Sequence, residues 1–342
     1  MELSNLLAAV AHPRVERLTL DLLDVPATPR LGHFLASWLS TAPRTSLDMV
    51  DVAHMDDDAA IAFCDALQAN TTLDTLVLSR VNNLMGFRGR TLPMSLRHFE
   101  WNACFHDPNV DDATINHLAM AVGPTRLQHF GSSVFGKLAQ CMAAAPMLAQ
   151  LTCLEVHALP AAGVEALIAG LSTVPALTTL GLEHCAIAKD DAAVQLMAAL
   201  ATSCTRLSRL QLKEHAMYHD GVAAVLPGAW RLPQLTWLDV SPRFNAMALP
   251  NLLYILMELV AAGRHVRELH LKTAMRQITI NGDRSPLGND KEHKCAVLRA
   301  LAMIHDVPFV LDQFPADVEP HVVEALGATA DRATRCQLRL YF

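Results

Sequence analysis

The sequence predicts an α/β solenoid bent into a horseshoe, with a parallel β-sheet on its concave side and helices on its convex side. Three observations predict it. An apolar signature, Leu-x-x-Leu-x-Leu, returns about every 28 residues. Between its copies lie segments whose apolar residues fall at helical spacing. Hydrophobic residues make up 52% of the chain but aromatics only 5%, which suits many thin aliphatic layers better than one bulky aromatic core. Stacked units of this kind share a continuous core, because each buries its apolar face against its neighbours.

The clear copies read Leu73-x-x-Leu76-x-Leu78, Leu151-x-x-Leu154-x-Val156, Leu177-x-x-Leu180-x-Leu182, Leu207-x-x-Leu210-x-Leu212, Leu235-x-x-Leu238-x-Val240 and Val266-x-x-Leu269-x-Leu271. Weaker ones sit at Val15/Leu18/Leu20, Leu47/Val50/Val52, Leu96/Phe99/Trp101 and Leu127/Phe130. Each alternates apolar and polar residues and so predicts a short strand.

The intervening helices have legible starts and stops. Ala59, Ala60, Phe63 and Leu67 follow the acidic turn Asp56-Asp57-Asp58, and Val164, Leu167, Ile168 and Leu171 follow Pro160. Ala193, Val194, Met197 and Leu200 follow Asp190-Asp191. Asp caps free amides at a helix start, and Pro is tolerated in the first turn. Pro43, Pro124, Pro146 and Pro175 mark the exits. A helix is about 10 Å across and a strand occupies about 4.8 Å, so the stack bends with its strands inside. The crossovers are right-handed.

The long period and full helix resemble the ribonuclease-inhibitor-like class of leucine-rich repeat proteins over Val15 to Lys272. The resemblance implies a preformed recognition surface and no fixed function. Two features depart from the pattern. The asparagine common after the strand is replaced, by Cys185 and Ala216 in two units, and the Leu127/Phe130 unit has Ser132 where the third apolar residue belongs. The expected organisation is one solenoid domain over 1–342: an N-terminal cap over 1–14, about ten repeats over 15–272, a polar loop insertion over 273–292 and degenerate repeats forming a C-terminal cap over 293–342. In the last part Phe309–Leu311 and Leu338–Phe342 read as strands.

The net charge is −7 with no run of Lys or Arg, which argues against nucleic acid as a ligand. The eight cysteines show no C-x-x-C pair and read as reduced thiols of an intracellular protein, cytoplasmic or nuclear. The N-terminus lacks a secretory pattern, and the longest apolar stretch, 246–263, is interrupted by Pro250, Asn251 and Glu258. It reads as a buried helix, so no membrane partner is expected. Asn70-Thr71-Thr72 is a chance sequon.

Residues between the apolar positions of each strand face the concave side. The candidate partner-binding set is His98, Glu100, His129, Glu155, His157, Glu183, Arg209, Lys213, Trp237, Asp239 and His270. The same reading turns Met49 and Asp51 outward. Mixed charge beside an aromatic suits a protein-binding surface, with Trp and Arg as anchors.

His129, Glu155 and His157, and the pair His215-x-x-x-His219, have the residue types of metal ligands. With 16 histidines in the chain, ordinary surface histidine accounts for both, and no metal or other cofactor is expected. No Gly-x-Ser-x-Gly elbow, P-loop or Gly-x-Gly-x-x-Gly occurs, which leaves catalysis and nucleotide binding without a motif. Trp38, Trp101 and Trp230 read as core.

The expectation is a non-enzymatic scaffold whose concave face binds another protein. A narrower version is the substrate receptor of an F-box-type ubiquitin ligase, with a ligase adaptor as partner, although no F-box is evident. A GTPase-activating regulator of the Ran type is a further alternative implied by the resemblance; the acidic C-terminal tail of that group is replaced here by Cys336-Gln337-Leu338-Arg339-Leu340-Tyr341-Phe342. A purely structural or immune-type sensor completes the alternatives.

Overall fold

The computed structural model describes residues 15–21, 31–41, 43–52, 55–81, 84–102, 110–187, 190–213, 225, 228–229, 231–241, 268–272, 310–312 and 339–341. It is a leucine-rich repeat solenoid of parallel strands alternating with helical segments. The chain divides into two compact units, Met1–Ala158 with Glu165–Leu177, and Leu159–Val164 with Thr178–Phe342.

In the first unit β1 (Arg17–Asp21), β2 (Ser46–Val50), β3 (Thr75–Ser79), β4 (His98–Asn102), β5 (His129–Gly131) and β6 (Cys153–His157) lie in chain order. Each pairs in parallel with the next, so Leu18, Leu47, Leu76, Phe99, Phe130 and Leu154 form one row. These residues are buried, as are their partners two places on in β1 to β4, namely Leu20, Met49, Leu78 and Trp101. In β2, β3, β4 and β6 the intervening residues are half-buried.

One signature is corrected by this register. The second copy is not Leu47/Val50/Val52 but Arg44-x-x-Leu47-x-Met49, because Leu47 pairs with Leu76 and Met49 with Leu78. Met49 is therefore core, fully buried, and Asp48 takes the outward place expected for it. The reason is Arg44, which occupies an apolar slot with no solvent exposure. Its guanidinium lies 4.7 Å from the Trp38 ring centre. Its Nε donates to the Trp38 carbonyl at 2.9 Å and one terminal nitrogen donates to Thr41 Oγ1 at 3.1 Å. The other donates to the Val15 carbonyl. Planar stacking and a fixed donor fork let a cation fill a leucine position, which a purely apolar pattern passes over.

Helices α1 (Leu31–Thr41) and α2 (Asp57–Ala69) pack side by side behind β1 to β3. Gly32 is where they meet: a Cβ there would lie 2.2 Å from the Ala59 carbonyl oxygen. The expected cap is present, with Asp56 accepting from Ala59 N at 2.6 Å, and α2 buries Ala59, Ala60, Phe63, Cys64 and Leu67. Asn70 closes the helix. Its side-chain oxygen accepts from Leu73 N at 2.8 Å and Thr72 N at 2.9 Å, and its amide donates to the Leu39 carbonyl at 3.1 Å. Both ends of the sequon asparagine are thus used inside the fold.

The shortest repeats lose their helices. Only 23 residues separate Leu76 from Phe99, and this space holds a 3-10 turn, Met85–Gly89, whose five residues all have positive φ. It packs on α3 (Asp112–Val122) and sends the buried Phe87 edge-on to Phe99, ring centres 5.7 Å apart. Between β5 and β6, α4 (Phe135–Leu138) and α5 (Ala145–Leu148) are single turns. The irregular fifth unit is explained by Ser132: buried in the missing apolar slot, its hydroxyl donates to the Trp101 carbonyl at 2.6 Å.

In the second unit β7 (Thr179–Glu183), β8 (Arg209–Lys213), β9 (Trp237–Ser241) and β10 (Glu268–Lys272) repeat the same parallel register, with Leu180, Leu210, Leu238 and Leu269 in one row. α6 (Ala161–Gly170), of which Glu165–Gly170 belong to the first unit, and α7 (Asp190–Ser203) stand at the predicted positions. Strands β11 (Val310–Asp312) and β12 (Arg339–Tyr341) fall within a residue of their expected places. The last one, however, lies between β10 and β11, so the end of the sheet departs from chain order. The expected cap over 1–14, the 246–263 helix, the 273–292 insertion, Trp230 and the His215/His219 pair lie outside the described residues. Among the described residues, Trp38 and Trp101 are buried in the core.

Candidate functional site

Strand alternation puts every second residue of β4, β5 and β6 on the side away from the core. Two cross-strand rows result: His98, His129 and Cys153 in one, and Glu100, Gly131 and Glu155 in the other. The rows carry imidazole, thiol and carboxylate within three consecutive coils of the chain.

The His98 and His129 rings stack face to face, centres 3.9 Å apart and 9° from parallel. His98 Nε2 donates to Glu100 Oε1 at 2.6 Å, an ionised carboxylate being acceptor only. His129 Nε2 lies 3.8 Å from Glu100 Oε1 and 3.6 Å from Glu155 Oε2. It is buried and makes no hydrogen bond. Gly131 makes this convergence possible, since a Cβ there would come within 2.7 Å of Glu100 Cγ.

The electrostatics follow from burial and neighbours. The hydrogen bond from His98 holds the Glu100 carboxyl below its ordinary range, against the opposing effect of desolvation. Burial, reinforced by the neighbouring His98, pushes the His129 imidazole down to about 4 despite the pull of Glu100. His129 is therefore neutral near pH 7, with a lone pair to offer. Asp48, in the same row as Glu100 two strands away, has its carboxyl raised, chiefly by desolvation and then by Glu100 and Asp21.

Of the expected binding residues, the structure brings together His98, Glu100, His129 and Glu155. His157 stands two places beyond Glu155 on β6, half-buried, and acts electrostatically on both Glu100 and His129. Sequence reasoning grouped His129 with Glu155 and His157 and missed the His98–His129 stack. The signal was present: both histidines immediately precede the central apolar residue of successive signatures, Phe99 and Phe130. Cys153 and Asp48 were also missed as members of the site.

The second unit holds its own pair. The Arg209 guanidinium lies 4.6 Å from the centre of the Trp237 ring, on adjacent strands in register. Glu183, half-buried at the end of β7, lies 3.8 Å from Nε2 of His184. Lys213, Asp239 and His270 fall on β8, β9 and β10.

Two solved structures are similar to this chain. The leucine-rich repeat-containing protein LegL7 from Legionella pneumophila superimposes with a TM-score of 0.48 at 13% identity, over 91% of this chain and 89% of that one. Rad7, solved in complex with Elc1 from yeast, superimposes with a TM-score of 0.51 at 14% identity, over 99% of this chain and 82% of that one. No protein-family model matches the sequence, and no curated protein is similar to it in sequence. No helix among the described residues is long and apolar enough to cross a membrane.

Proposed function

We propose that this protein is a non-enzymatic scaffold that binds a protein partner through the outward residues of its parallel strands. The observation that carries the reading is the register. Outward side chains of successive strands align in straight rows, half-buried and polar, with His, Glu, Arg and Trp concentrated in them. Such rows form a preorganised surface, and preorganisation lowers the entropic cost of association. Trp237 braced by Arg209 has the character of an interface anchor: a large rigid ring with a cationic neighbour.

A finer reading is the substrate receptor of a ubiquitin ligase. Rad7, a structural neighbour at the level of fold, was solved with the protein Elc1, which is in keeping with a protein partner for this chain as well. An intracellular location, cytoplasmic or nuclear, accompanies this proposal.

The test is affinity purification from the native host with the wild-type chain and the Trp237→Ala/Arg209→Ala double variant. The expected result is one or more partners captured by the wild type and lost from the variant, with the thermal midpoint unchanged. Undiminished capture by the variant overturns the assignment of this surface. Recovery of a ligase adaptor supports the finer reading, and its absence from an otherwise successful capture removes it.

A further inference from the structure

We infer that His98, Glu100, His129 and Glu155 form a binding site for one divalent transition-metal ion of the zinc class. This goes beyond partner recognition and does not depend on it. It also departs from the expectation drawn from spacing alone, which saw scattered surface histidines.

The donor set is the first argument. Two imidazoles and two carboxylates are a ligand combination zinc accepts, and its tetrahedral bonds run at about 2.0–2.2 Å. Ligand atoms around such an ion stand about 3.3–3.6 Å apart by simple tetrahedral geometry. His129 Nε2 lies 3.6 Å from Glu155 Oε2 and 3.8 Å from Glu100 Oε1, already near that separation. The donor atoms of His98, Glu100 and His129 all lie within 4.8 Å of one another, as do those of His129, Cys153 and Glu155. His129 belongs to both groups and is their common centre.

The second argument is the state of His129. Its Nε2 is buried without a hydrogen bond, a loss that a native structure ordinarily avoids. It stands 3.8 Å from Glu100 Oε1 and 3.6 Å from Glu155 Oε2, where a bound cation would satisfy the imidazole nitrogen and both carboxylates together.

Loading the site requires local changes, since Glu155 and the His98–Glu100 pair fall in separate groups that share His129 and must draw together. The 2.6 Å His98–Glu100 hydrogen bond opens by somewhat less than about 1 Å to reach the ligand spacing above, and the stacked rings turn so that both lone pairs point at the ion. For Nε2 to ligate, the His98 ring proton resides on Nδ1. Gly131 leaves the space in which both carboxylates meet the ion.

The experiment uses the full chain, stripped with a chelator and titrated with Zn2+ by calorimetry and with Co2+ by visible absorption. One equivalent should bind, raising the thermal midpoint, and Co2+ should give the absorption of a tetrahedral complex. His129→Ala should weaken binding by more than about 100-fold, the upper end of the loss seen when merely a supporting residue is removed. Glu155→Gln, on a half-buried side chain, provides a second variant and should also weaken binding while circular dichroism stays unchanged. Cys153→Ser should leave affinity and the cobalt spectrum as they are. No binding by the wild type, or one equivalent that survives both His129→Ala and Glu155→Gln, overturns the site. Loss of binding in Cys153→Ser overturns the four-residue ligand set.

Discussion

Arg44 offers the sharpest test of how this solenoid is held together. Replacing it by alanine removes a charge-assisted hydrogen bond to the Trp38 carbonyl and the guanidinium stack over the Trp38 ring, both fully buried. The first contributes about 1.5–3 kcal/mol, and the second about 2 kcal/mol when desolvated. The bonds to Val15 and Thr41 are partly exposed, where water replaces the lost donor, and they add little. Arg44→Ala should therefore cost about 3.5–5 kcal/mol. Arg44→Leu refills the slot with the side chain the repeat uses elsewhere, recovering about 2 kcal/mol of apolar burial, and should cost only about 1.5–3 kcal/mol. Urea denaturation followed by circular dichroism measures both. A loss below about 0.5 kcal/mol for Arg44→Ala refutes the reasoning, and so does an Arg44→Leu variant no more stable than Arg44→Ala.

Three further outcomes follow from the packing. Asn70→Ala leaves the Leu73 and Thr72 amides and the Leu39 carbonyl without their partner and should destabilise by about 2–4 kcal/mol in the same assay. Gly131→Ala should displace the Glu100 side chain and separate the His98–Glu100 pair, read as altered imidazole chemical shifts of His98 and His129 by NMR with little change in fold. The thiols of Cys64, Cys185 and Cys204 are pushed up to about 11 by burial, so they should resist alkylation at pH 8 until the chain is unfolded. Because the folded value lies above the unfolded 9.0, their contribution to stability is complete below pH 9 and is lost as pH rises towards about 11. A denaturation series from pH 8 to 11 should show that decline.

The sequence displays the strands well because each carries three constraints at once: apolar period, alternation and a fixed return interval. Leu76, Leu154, Leu180 and Leu210 satisfy all three and lie where expected. Position 44 shows where such reading fails. Arg44 satisfies the slot by stacking and hydrogen bonding, and a pattern that equates core with apolar moves the second signature by three residues, an odd step that turns Asp48 and Met49 the wrong way. Ser132 is a similar case: a hydroxyl is accepted in the core because the Trp101 carbonyl is there to receive it. The site was half legible. Strand alternation alone selected His98, Glu100, His129 and Glu155. Their convergence depended on the in-register pairing of β4, β5 and β6 and on the space at Gly131, and these are tertiary facts.

Pairing each strand of the first unit only with its sequence neighbours has a kinetic consequence. The strand pairings that build the His98–Glu155 cluster close loops of 31 residues between His98 and His129 and 24 between His129 and Cys153, so the closure entropy is small and is met coil by coil. The three coils from β4 to β6 can assemble before distant parts of the chain do, and damage at a remote coil spreads to them only through the coils between. The cluster is in this sense a local product of the chain, completed as soon as three consecutive turns of the spiral have closed.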